Sequence, residues 1–348
     1  MRIVPIAGLA LAVVASGAQT PKVRLFEGLG GLHRPVTTKS KLAQAYFDQG
    51  LAFMYAFNHG QAIRSFQVAT EADPKCAMAW WGIATASGPN INYPMVDPEH
   101  AQMAVNALQR AKALAPKLPK VERDLIAAAD QRFKWPQPDD RGPLDRAYAA
   151  AMKQVWAAHP KDADVGVQYA EAMMDLRPWD LWKADGTPQP GTNEVLKTLR
   201  AVLRFDPRHP HANHLYIHAV EGSPQPGLAT PSADRLRNRQ PGLGHMVHMP
   251  SHIYVRTGRW EDAIVANKKA IDTDNAYRKR NPRPGFYAMY MAHNRHMLAY
   301  AATMVGKSAL AIKYVDDAIA IFPEDFLKEM APFADGFIAQ PFEFRKRF

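Results

Sequence analysis

Nine of the chain's thirteen histidines fall between His209 and His296, at the spacing of helix faces. His211, His214 and His218 step by 3 and 4, and Glu221 follows after a further 3. At about 100° per residue these four lie within roughly 80° of one another. They form a polar stripe on an otherwise apolar segment that carries Leu215, Ile217, Ala219 and Val220. The step of four from His214 to His218 lets two imidazoles on one helix bind one metal ion. His245, His248 and His252 repeat the steps of 3 and 4, with Pro250 placed to interrupt their helix. Tyr290, His293, His296, Met297 and Tyr300 form a third stripe at helical spacing.

Neutral imidazole suits zinc, copper, iron and nickel. Two or three histidines with one carboxylate and an open position are the usual make-up of a catalytic metal site. The expected ligands are therefore His214, His218, Glu221, His248, His252, His293 and His296 around zinc, copper or iron, with Glu221 as the catalytic carboxylate. Such an ion would activate water or handle oxygen. Met246, Met249 and Met297 lie beside the histidines; thioethers favour copper(I), but methionine at helical spacing is usually core filler. His33, His59, His100 and His159 are scattered and read as surface or turn residues; Trp80, Trp81, Trp179 and Trp182 could stack on an organic ligand at the groove, with solenoid core as the default role. The competing expectation is a groove that binds a peptide, protein or small molecule with no metal and no catalysis. Other chemistries lack their motifs. Gly28-Leu29-Gly30-Gly31 has no Lys-Ser/Thr after it, and there is no Gly-x-Ser-x-Gly, His-Glu-x-x-His or Cys-x-x-Cys.

The elements that position these residues follow from a repeat. A small or apolar residue is followed by others at +4 and +7 and by a proline at +12. Copies are Ala62/Phe66/Ala69/Pro74, Ala104/Leu108/Ala111/Pro116, Tyr148/Met152/Val155/Pro160, Val195/Leu199/Val202/Pro207 and Ala311/Val315/Ala318/Pro323. Ala263/Asn267/Ala270 fits up to Asn275, where the proline is missing. The three leading positions share one helix face, and the proline terminates the helix.

Gly258, Trp260, Ala263 and Ala270, and Asn58-His59-Gly60-Gln61-Ala62 with Phe66, Ala69 and Pro74, make the chain resemble the tetratricopeptide repeat family. The resemblance implies an all-α fold. It would be a right-handed α-α solenoid of six to seven helix pairs over residues 41–326, whose first helices line the concave face. In that register the three histidine stripes occupy the first helices of three consecutive pairs. Axes of packed neighbours lie about 8–10 Å apart, so the stripes are expected to meet in one cluster. Successive prolines lie 42, 44 and 47 residues apart, beyond the family period of about 34. The excess falls in Ser87–Pro98, Arg177–Gly191 and Gly222–Pro231, which are expected to fold over an end of the groove and enclose it.

Arg2, the apolar stretch Ile3–Val14 and the small residues Ser16-Gly17-Ala18 read as a signal peptide over residues 1–18, cleaved after Ala18. The expectation is a periplasmic or secreted protein with no transmembrane segment in its mature chain. Residues 19–40 form an N-terminal extension and 327–348 a C-terminal tail. One cysteine, Cys76, leaves no internal disulfide, so packing must supply stability. The net charge of +10 suits anionic surfaces or acidic ligands outside the cytoplasm rather than nucleic acid. Its densest run, Arg278–Arg283, reads as a solvated loop.

Overall fold

Each repeat proline acts on the helix before it. The residue ahead of a proline is driven out of the α region, so the helix must end earlier. In a computed structural model describing residues 24–322, 324–329, 336 and 338–348, four second helices end two residues before their proline. These are α2 (His59–Ala72), α4 (Pro98–Leu114), α6 (Gly142–Ala158) and α8 (Thr192–Phe205). Where Asn275 replaces the proline, α13 (Trp260–Arg280) runs on for 21 residues. Arg278, Lys279 and Arg280 are therefore its last turn, which corrects the reading of that run as loop. The +4 and +7 positions of all six units are buried.

The first helices are α1 (Lys41–Tyr55), α3 (Ala77–Ala86), α5 (Lys120–Ala129), α7 (Ala163–Met174), α9 (Pro210–Glu221), the nearly continuous α11 (Gly244–His248) and α12 (Pro250–Arg256), and α14 (Tyr287–Met304). With α10 (Thr230–Leu236) and α15 (Ser308–Ile319) as further second helices, the described residues form seven pairs of an all-α, right-handed solenoid. The seven-residue α10 lacks the repeat signature, which is why only six units are legible in the sequence. Among the described residues two short helices follow, α16 (Glu324–Glu329) and α17 (Gln340–Arg345). No helix among the described residues is long and apolar enough to cross a membrane. The expected signal peptide lies outside the described residues.

Close approach of the first two pairs depends on missing side chains. A Cβ at Gly50 or Gly82 would stand 2.5 or 2.6 Å from the Phe66 ring, which both helices sandwich. Gly258, at φ +75°, makes the left-handed turn between α12 and α13 that Cβ-bearing residues disfavour.

The solenoid bends until its first pair meets its later pairs. Phe26 packs on Phe53 and on Tyr277 of α13, with ring centroids 5.1 and 6.0 Å away. The Gly242 amide donates to the Gly28 carbonyl at 2.9 Å, and Gln240 Nε2 donates to the Leu29 carbonyl at 2.9 Å. Buried Arg34 reaches Asp162 and Asp164, each at 2.8 Å. The residues before α1 thus help to close the groove.

Candidate metal centre

Closure puts the histidine stripes inside. His211, His214, His218, His245, His248 and His252 are each at most 7% exposed. Their stripes sit on α9, on α11–α12 and on α14 as three consecutive inner helices. Pro250 stands in the first turn of α12, and Met249 before it keeps helical angles, so the i, i+4 spacing of His248 and His252 survives.

Hydrogen bonds at Nδ1 orient four of the rings. His214 Nδ1 donates to the Tyr55 carbonyl at 2.9 Å. His248 Nδ1 donates to Asn267 Oδ1 at 2.6 Å, and Asn267 spends its own amide on the Ala263 carbonyl. His218 and His252 donate through Nδ1 to the two oxygens of Glu221, at 2.7 and 2.6 Å. A carbonyl or ionised carboxylate oxygen has no proton to give, so Nδ1 carries the hydrogen in these four rings and each neutral Nε2 is a bare lone pair.

Those Nε2 atoms crowd together. His248 and His252 Nε2 lie 2.8 Å apart, His214 and His245 Nε2 3.1 Å, and His252 and His293 Nε2 3.4 Å. His218 Nε2 and His245 Nδ1 are buried without a hydrogen-bond partner. With the Nδ1 hydrogens of both rings already spent, the His248 and His252 Nε2 atoms face each other at a distance that a shared cation, a proton or a metal ion, would satisfy. Metal–imidazole bonds of about 2.0–2.1 Å put neighbouring ligand nitrogens about 2.9 Å apart at a right angle and about 3.4 Å apart at a tetrahedral one. The observed separations span that range. Three groups of potential ligand atoms lie within 4.8 Å of one another: His214/His218/His245, His248/His252/His293 and His218/Glu221/His252.

Burial disfavours protonation of five of these imidazoles. Burial, reinforced by neighbouring imidazoles, holds His214, His245 and His248 well below the ordinary histidine value. It pushes His293 down to about 3. Burial also lowers His218, against the opposing pull of Glu221. Burial alone would raise Glu221, but His252 and His218 outweigh it and hold the carboxyl below its usual range.

Glu221, expected to be a metal ligand and the catalytic carboxylate, lies in one of the three groups, where its oxygens accept the Nδ1 hydrogens of His218 and His252 and orient both rings. Several other expectations need correction. His296 lies outside all three ligand groups and packs edge-on to Phe344 of α17, centroids 5.8 Å apart. His245 belongs to a group although it stood outside the expected ligand set. A second carboxylate, Glu171 of α7, accepts from His211 Nε2 at 3.1 Å. A carboxylate on an apolar inner helix was its available signal. His59 is not an ordinary surface residue: it contacts Asn90 at 3.3 Å, and desolvation pushes it down to about 4. Trp81 is core, whereas Trp179 is 59% exposed and stands edge-on over His218 at 5.3 Å. Trp182 donates from Nε1 to the Ala219 carbonyl at 2.8 Å, which secures it over the end of α9.

Two aromatic residues flank His218 in costly backbone conformations. Phe57 and Trp179, at φ 55° and 61°, are the non-glycine residues at positive φ among the described residues. Phe57 lies near-parallel to His218 at 6.1 Å and within 4.6 Å of His214. Bulky residues rarely hold this conformation, and such strain clusters at functional sites. Neither aromatic has a periodic signal, since each follows the end of an inner helix.

The expected enclosing segments do converge here. A cavity of about 360 Å³ is lined by Ile91, Arg177, Trp179, Trp182, Arg256 and others, with His218 and Glu221 in its wall. Gly186 and Pro224 place the second and third insertions in contact, since a Cβ at Gly186 would meet the Pro224 ring at 2.5 Å.

No protein-family model and no curated protein matches the chain. Among solved structures, human IFIT1, determined as a dimer with m7Gppp-AAAA, matches at 15% identity with a TM-score of 0.50. The match covers 90% of this chain and 66% of that one. MamA matches at 17% identity and a TM-score of 0.39, over 53% of this chain and 95% of its own. The IFIT1 likeness shows the fold, a helical solenoid of the tetratricopeptide type.

Proposed function

We propose that this chain, with its tetratricopeptide-type fold, is a transition-metal protein whose closed groove presents the ion to a small molecule. The carrying observation is the Nε2 atoms of His214, His218, His248 and His252, left free by Nδ1 bonds to Tyr55, Asn267 and Glu221, with Nε2 contacts of 2.8–3.4 Å among His214/His245, His248/His252 and His252/His293. Imidazole-only coordination fits zinc, copper or iron. A bound ion would supply Lewis acidity or an activated water.

The protein's own groups do the rest. Glu221 and Asn267 hold ring tautomers and orientations, as carboxylate and carbonyl partners do behind metal-bound histidines. Phe57 and Trp179 restrict water around His218. The cavity admits a small ligand; Trp179 and Trp182 offer apolar faces, and Arg177 and Arg256 supply positive charge for an anionic group. An adaptor would need an open groove for a peptide, but here α1 meets α9 across it through the Tyr55 carbonyl and the Tyr55–His211 stack at 4.2 Å. The reading of residues 1–18 as a signal peptide further proposes that the metal is acquired outside the cytoplasm.

The test is metal content of tag-free protein purified without chelator, measured by elemental analysis for wild type and for His248→Ala/His252→Ala. Bound zinc, copper or iron in the wild type and its loss in the variant are expected. Sub-stoichiometric metal that is the same in both would overturn the reading.

A further inference from the structure

The histidines repeat with the fold. His214 and His218 on α9 are followed at 34 positions by His248 and His252 on α11–α12. That interval is the tetratricopeptide period of about 34 residues. Each i, i+4 pair takes a third imidazole from the next inner helix: His245 for the first and His293 for the second. The stacking of neighbouring units thus produces the same three-imidazole arrangement twice.

We infer that the centre is dinuclear, with one ion on His214, His218 and His245 and a second on His248, His252 and His293. This rests on the metal-site reading above and adds its nuclearity. The two sets share no residue. Nitrogens around one ion cannot lie more than about 4.2 Å apart, twice a bond length of about 2.1 Å. Among the described residues, no group within 4.8 Å combines two imidazoles of one set with any of the other. A single six-coordinate ion therefore does not fit. In the first set, His218 Nε2 and His245 Nδ1 are buried without partners; in the second, His248 and His252 Nε2 face each other at 2.8 Å. Each set thus has its own unmet demand for a cation.

Glu221 links the two. One oxygen accepts from His218 of the first set and the other from His252 of the second, so a single carboxylate orients a ligand of each ion. The rings of these two residues lie 5.5 Å apart and edge-on, which keeps the two sets adjacent. The first set carries the cavity wall through His218, so its ion is the one a small ligand meets. Three imidazoles leave a fourth position on each ion for water or that ligand.

The experiment uses full-length, tag-free protein stripped with a chelator and reloaded with zinc(II) or copper(II). Native mass spectrometry and elemental analysis then count the ions. Two equivalents per chain are expected in the wild type. His245→Ala and His293→Ala should each keep one equivalent, and the double variant none. One equivalent in the wild type would overturn the dinuclear centre while leaving a metal site intact; none would overturn both. The wild-type count needs no variant to fold, and circular dichroism checks the helicity of those that are made. Loss of both equivalents in either well-folded single variant would also overturn independent three-imidazole sets.

Discussion

Replacing Glu221 with glutamine separates an orienting carboxylate from a metal ligand. The side chains are nearly isosteric, but one oxygen becomes an amide donor. In the native site both oxygens accept Nδ1 hydrogens, from His218 at 2.7 Å and His252 at 2.6 Å. In Glu221→Gln one ring must face a donor with a donor. It can turn away, or it can move its proton to Nε2 and lose the lone pair it would offer a metal. The other ring exchanges a charge-assisted hydrogen bond for a weaker neutral one. Loss of such a supporting partner typically costs 10–100-fold in metal affinity. Because one of the two contacts becomes repulsive, about 100-fold is expected, equivalent to about 2.7 kcal/mol. Competition against a chromophoric chelator at pH 7.5 measures this, with thermal melts to confirm folding. Affinity within threefold of wild type would refute the orienting role. A fall beyond about 10⁴-fold in a folded variant would show that Glu221 binds the metal directly.

Acid should destabilise the metal-free chain. His214, His245 and His248 are held well below 6.5 by burial and neighbouring imidazoles, so between their folded values and 6.5 the unfolded chain binds more protons. Their contribution is complete above about pH 6.5 and falls as pH drops, by up to about 1.4 kcal/mol per unit for each group. It opposes Asp274, whose buried carboxyl is pushed up to about 7 and whose contribution weakens as pH rises toward that value. The urea midpoint should therefore drop between pH 6.5 and 5, and a flat profile would contradict the neutral burial of these rings. Trp179→Gly removes an exposed ring and its left-handed strain, and the greater unfolded-chain entropy of glycine offsets part of that gain, so stability should not fall by more than about 1 kcal/mol. Chelator extraction of metal should quicken by about tenfold; an unchanged rate would mean that the cavity is not the route to the centre. Gly82→Ala sets a Cβ 2.6 Å from the Phe66 ring and should cost about 1–3 kcal/mol by overpacking, read as a lower urea midpoint.

Helix periodicity and proline punctuation are local properties, and they made the solenoid legible. The +4/+7 face is buried in all six units, and four of the helices stop two residues before their prolines because the constraint acts within a single turn. The histidine stripes were legible for the same reason, since 3.6 residues per turn decides which side chains share a face. A face does not decide which ring nitrogen points inward, nor what lies opposite. Those depend on partners far away in the chain: the Tyr55 carbonyl stands 159 residues from His214, and Glu221 lies 31 from His252. Helical spacing alone placed His296 among the expected ligands and left His245 out. The rotation of neighbouring helices turned His296 toward Phe344, brought His245 inward and set both Glu221 oxygens on Nδ1 hydrogens. Phe57 and Trp179 had no periodic signal, because their places come from chain reversals after α1 and α7. Repeat spacing is local geometry and can be read along the chain, whereas the bending that closes the groove sums small rotations over many packed pairs and is settled only by the assembled solenoid.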